Sequence, residues 1–153
     1  MHFWNLETLS KALRICLQIT FAAGAVITAL LWYLLRAWFG WYYWNDEPYY
    51  VASVILLTPC GLCSLYILWQ LIALLKTIDC KNPFVRGNAR GLRRIAGSSF
   101  VISLLFLALG IFRATVLTYG IAYIFLIAGF CFVVLAGLFG KAVAFKDEND
   151  LTV

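Results

Sequence analysis

Four long stretches without a charged side chain, separated by short charged or aromatic joints, account for most of this chain. Ile15–Leu35, Pro48–Leu75, Ile95–Phe112 and Ala114–Gly140 each hold 18 or more uncharged, mostly apolar residues. At about 1.5 Å rise per residue, that length crosses the roughly 30 Å of hydrocarbon in a bilayer as a helix. Water-soluble folding is excluded on physical grounds. Hydrophobic residues make up 64% of 153 residues and charged ones 12%, and a chain this short buries too little of its surface to hide that much apolar area. The expected fold is all-α: one polytopic membrane domain of four transmembrane helices, over about 13–37, 50–75, 93–114 and 119–142. No linker, repeat or low-complexity segment points to a second domain.

The distribution of charge orients the spans. Lys11 and Arg14 precede the first; Lys76, Lys81, Arg86, Arg90, Arg93 and Arg94 crowd the joint between the second and third; Lys141 and Lys146 follow the fourth. Only Arg36 and Arg113 fall at the opposite ends. Basic residues mark the cytoplasmic side of short loops, so both termini are expected in the cytoplasm. The first apolar region exceeds the 7–15 residues of a signal peptide and runs into tryptophans instead of a cleavage site. It is expected to remain as an anchor.

Residues 5–14 form an amphipathic lead-in, with Leu6, Leu9 and Leu13 at helical spacing and Trp4 at interface depth. Thr20, Gly24 and Thr28 make a stripe of small residues suited to close helix approach, and Gly110, Ala114 and Thr118 make a second. Pro59 removes a backbone donor within the second span and predicts a kink. Asn82-Pro83 has the form of an N-cap followed by proline at the first helical position, so the third helix is expected to begin before the membrane.

Three clusters are candidate functional features. Arg86, Arg90, Arg93 and Arg94 fall at i, i+4, i+7 and i+8, one basic face of a helix, with Phe84, Val85, Leu92 and Ile95 left for its apolar side. That face suits anionic headgroups, at about 1 kcal/mol per basic residue, or an acidic protein partner, or the chain's own acidic tail of Asp147, Glu148 and Asp150. Direct nucleic-acid binding is disfavoured: arginines held against a membrane meet phosphate backbones poorly, and no recognition motif accompanies them. The outer joint is dense in rings: Trp38, Trp41, Tyr42, Tyr43, Trp44, Tyr49 and Tyr50, with Phe39 among them. An interfacial aromatic belt is the plain reading; a cage for a cationic ligand, helped by Asp46 and Glu47, is the sharper one. The third cluster is Cys60-Gly-Leu-Cys63, directly after Pro59.

Other chemistry is missing. The spans hold no Asp, Glu, Lys or His in their apolar parts, which disfavours the buried-acid switch of ion-coupled transporters. The single histidine is His2, and no metal site or cofactor is called for. In length, span number and the Cys-x-x-Cys tetrapeptide the chain resembles four-helix membrane thiol oxidoreductases, whose logic is attack by one thiolate and resolution by its neighbour. It departs from them in lacking a second cysteine pair in an outer joint, and Cys16, Cys80 and Cys131 are scattered. Buried cysteine as a small apolar residue is the competing account.

Across nearly its whole length the chain also resembles the YoaS-like proteins, a domain-of-unknown-function family of small four-helix bacterial membrane proteins. The likeness rests on Asn82-Pro83-Phe84, Asn88 and Leu92-Arg93-Arg94-Ile95, on Gly137-Leu138-Phe139, and most specifically on the ending from Phe145 to Val153. The resemblance implies a bacterial inner-membrane protein frequently encoded beside a small helix-turn-helix regulator, and brings no catalytic residues. The expected role is thus a non-enzymatic membrane partner or sensor for such a cytoplasmic regulator. The alternatives are a thiol oxidoreductase using Cys60 and Cys63, and a lipid or small-molecule binder or transporter. Homo-oligomerisation is compatible with the sequence.

Overall fold

A computed structural model describes residues 6–42, 47–79, 86–112 and 114–151, all helical except short joins. Five helices follow one another: α1 Leu6–Ala29, α2 Leu31–Tyr42, α3 Glu47–Asp79, α4 Arg86–Phe112 and α5 Val116–Leu151. The first two are a single helical run with a local irregularity at Leu30, because Leu30 N–H still donates to Val26 O and Leu34 N–H to Leu30 O, both at 2.9 Å. Four stretches are long and apolar enough to cross a membrane: Ser10–Ala29, Pro48–Thr77, Arg86–Phe112 and Val116–Phe145. All-α architecture with four such helices agrees with the reading of the sequence. The Asn82-Pro83 start, with Phe84 and Val85, lies outside the described residues.

The helices pack as an open, serpentine bundle. The α1–α2 run lies on α3, α3 on α4, and α4 on α5; among the described residues α1 has no packing contact with α4 or α5. Each neighbour pair is antiparallel, as short connections require. One end of the array therefore gathers the start of α1, the end of α3, the start of α4 and the end of α5. This is the basic end.

Burial is inverted relative to a soluble protein. Ile111 is 84% exposed and Val116 90%, while Ser53, Ser99, Ser103 and Thr118 are buried. Lipid is as apolar as leucine, so helices in a membrane associate through close packing and hydrogen bonds instead of apolar burial. That inversion suits the four spans to a multi-pass membrane protein. α4 is the centre: 39% of its apolar stretch is buried, against none of that of α1. Its buried positions, Asn88, Leu92, Ile95, Ala96, Ser99, Ile102 and Ser103, recur every three or four residues and so share one face. Leu92 and Ile95 meet Ala136 of α5, with Ile67, Leu71 and Leu74 of α3 packed around them.

Small residues set the spacing of the helices. A methyl built on Gly61 would sit 2.8 Å from Thr28, and one on Gly24 would sit 3.3 Å from Leu65. The expected stripe on α1 is thus a packing seam at Gly24 and Thr28, but not at Thr20. That residue is exposed and turns its hydroxyl back to Cys16 O at 2.8 Å. Gly129 stands under the Phe100 ring in the same way. Ser103 Oγ donates to Ala122 O at 2.8 Å, a bond between α4 and α5 away from water. α3 runs through Pro59 as one element.

Candidate functional site

The arginine face is built by the same periodicity that builds the core. Helical spacing puts Arg86, Arg90, Arg93 and Arg94 on the side of α4 away from Asn88, Leu92, Ile95 and Ser99. All four arginines are exposed, and all four buried residues are buried. The first turn of α4 is anchored to the last of α3: Asn88 Nδ2 donates to Thr77 Oγ1 at 2.8 Å, and the Thr77 hydroxyl donates to Leu74 O at 2.6 Å. This tie fixes the rotation of α4 and hence the direction of its arginines.

Two of the four share a recess. Arg86, Ala89 and Arg90 of α4 and Gly140, Val143 and Ala144 of α5 line a groove of about 320 Å³. The space exists because Ala89, Gly140 and Ala144 carry almost no side chain, and the long arginine stems form its wall. Arg93 and Arg94 lie outside this groove, one to two turns further along α4. The acidic tail is not a loose end: α5 stays helical to Leu151, carrying Asp147, Glu148 and Asp150 beyond the groove. Glu148 is exposed; the side chains of Asp147 and Asp150 lie outside the described residues.

At the opposite end the rings divide. Trp38 is 59% exposed, whereas Phe39 is buried. Its ring packs against those of Tyr49 and Tyr50, each at 5.4 Å between centroids. These three residues staple α2 to α3 across the joint, a tertiary role that aromatic richness alone did not distinguish from interfacial placement. The Tyr50 hydroxyl is buried without a hydrogen-bond partner among the described residues. A small recess of about 190 Å³ lies nearby, between Trp38, Phe39, Tyr49, Ser53 and Leu109. Trp41 and Tyr42 belong to the last turn of α2, but their side chains, with the whole of Tyr43, Trp44 and Asp46, lie outside the described residues.

Cys60 and Cys63 sit within α3 as free thiols, Cys60 buried and Cys63 half-buried. Cys60 follows the start of α3 by 13 residues, about 20 Å along the axis, deep in the span. Cys16 and Cys131 are exposed free thiols on α1 and α5, and Cys80 lies outside the described residues. Ser64 Oγ donates to the main-chain oxygen of Cys60 at 2.9 Å. Among the described residues no three potential metal ligands gather in one place.

A family model described as "Protein of unknown function (DUF2975)" matches residues 5–153. The chain belongs to this family. No curated protein and no solved structure matches it. The match supports a domain-of-unknown-function assignment over nearly the whole chain, and names DUF2975 without confirming the YoaS-like designation. For this DUF2975 protein, the sequence singled out the arginine face and the structure shows how α4 displays it. The groove beside Arg86 and Arg90 was not visible in the sequence, because its far wall is Gly140 and Ala144, 50 or more positions away.

Proposed function

We propose that this DUF2975 protein is a non-catalytic, multi-pass component of the bacterial cytoplasmic membrane, with both termini in the cytoplasm. Its arginine face docks an acidic surface on a cytoplasmic partner, a small helix-turn-helix regulator. The observation that carries this reading is the display of Arg86, Arg90, Arg93 and Arg94 on the exposed side of α4, opposite its buried face. The excess of basic residues at that end supports its cytoplasmic placement. The family resemblance supports the class of partner. DNA contact belongs to the regulator, not to this chain. Exposed Trp38, at the far end, belongs to an outer interfacial belt, and any self-association leaves the arginine face open.

The test is site-specific crosslinking in membranes. A photo-reactive residue at position 93 is expected to capture a co-expressed small helix-turn-helix regulator of the class that the resemblance implies. Replacing Arg86, Arg90 and Arg94 by glutamine in that background should remove most of the product. An unchanged yield, or a reporter fused after Val153 that is active only outside the cell, defeats the proposal.

A further inference from the structure

α2 and α4 each pack on α3 but, among the described residues, not on each other. The space left between them, at the end away from the arginines, is the recess of about 190 Å³ beside Trp38. Its floor is α3: Tyr49, Ser53 and Leu57 recur every four residues and so share one face, over about 12 Å of rise. Trp38 and Phe39 of α2 form one wall and Leu109 of α4 the other, and the joint after α4 contributes Thr115.

The chemistry of this lining is restrictive. None of the described lining residues is charged. A cation entering here would shed water against Leu57 and Leu109 with no lining carboxylate to balance it, which is costly. Ser53 is the deeply buried polar side chain of the lining, at 2% exposed. Its hydroxyl proton is committed, because Ser53 Oγ donates to Tyr49 O at 2.7 Å. The oxygen keeps its lone pairs, so towards the recess Ser53 acts as an acceptor. An occupant that gains from it must bring its own O–H or N–H, and an acyl chain brings neither. Volume sets the size. A cavity of roughly 150 Å³ holds benzene, so this recess takes a single ring with one small substituent. Three aromatic side chains in the lining offer that ring edge and offset contacts.

We propose that the recess binds one small neutral phenol. Its ring lies between Trp38, Phe39 and Leu109, and its hydroxyl donates to Ser53 Oγ. Apolar and aromatic walls with one placed polar atom are the usual composition of a small-molecule site between helices. The site is at the opposite end from the arginine face of α4 and does not depend on a protein partner.

Full-length protein in neutral-detergent micelles is titrated with 4-fluorophenol and, separately, with 4-fluorotoluene, in which a methyl replaces the hydroxyl. Fluorine NMR reads the bound fraction, and protein-free micelles set equal concentrations of the two compounds within the detergent. The unaltered protein should bind 4-fluorophenol saturably, with displacement by excess phenol, and should bind 4-fluorotoluene about fivefold more weakly. Ser53→Ala should remove that difference. Ser64→Ala, which alters a helical serine of the same kind elsewhere in α3, should keep it. Unsaturable uptake, equal binding of the two compounds by the unaltered protein, or the same loss in both variants overturns the site. Should Ser53→Ala fail to fold, Leu57→Phe fills the recess from its floor. Loss of saturable binding in that variant supports the site, and unchanged binding rejects it.

Discussion

Gly61 and Gly137 are both glycines in membrane-spanning helices, yet their surroundings demand different things of them. A methyl on Gly61 meets Thr28 at 2.8 Å, while one on Gly137 meets nothing within 4 Å. Gly61→Ala should therefore destabilise by about 1–3 kcal/mol through overpacking. Gly137→Ala should be neutral, or stabilising by up to about 1 kcal/mol from helix propensity. Equilibrium unfolding in mixed micelles would read the difference, and equal effects would contradict the seam. Ser103→Ala is a second residue-level case. It removes the bond to Ala122 O and leaves that carbonyl its helical partner, so the cost should be modest, about 0.6 kcal/mol. The same unfolding experiment measures it.

Among the elements, α4 carries most of the packing. Ile95 is fully buried where α3, α4 and α5 meet, so Ile95→Ala should cost about 2–5 kcal/mol by leaving a cavity in that cluster. Ile111, on the same helix but 84% exposed, should tolerate alanine within about 0.5 kcal/mol. Comparable losses at both positions would mean that α4 does not bury the face described here. α3 shows how an element absorbs a local fault. Pro59 supplies no amide for the carbonyl one turn earlier, that of Ile55, and the Thr58 hydroxyl donates to the neighbouring Val54 O at 2.7 Å. The helix continues because packing on both sides, from α1 and from α4, holds it.

At the scale of the molecule, the serpentine order makes α1 dependent on a single neighbour. Weakening the α1–α3 seam should release α1 while α4 and α5 stay together. In a cysteine-depleted background, Gly61→Leu is expected to abolish a crosslink engineered between positions 24 and 65. A crosslink engineered between positions 100 and 129 should survive in the same protein. Loss of both would show a single cooperative unit instead of a chain of pairwise contacts.

Four spans, an all-α fold and the helical face of Arg86, Arg90, Arg93 and Arg94 were legible in the sequence. Each depends on local period and composition: apolar length against bilayer thickness, and 3.6-residue spacing along one helix. The small-residue stripe on α1 was legible as a packing device but not in its limits, because Thr20 and Thr28 differ only in whether α3 reaches them. Phe39 was one ring among many until its packing on Tyr49 and Tyr50 separated it from exposed Trp38. Neither the groove beside Arg86 nor the recess beside Trp38 could be read in advance. Trp38 and Tyr49 entered the argument only as rings of a belt, and Ser53 and Leu109 not at all. Their grouping depends on how α2 and α4 sit on α3, which contacts between distant residues decide. Local sequence thus determined which segments leave water and which face of α4 is basic, because solvation and helix geometry act residue by residue. Only tertiary structure decided which helices touch, and therefore where side chains from separate helices converge.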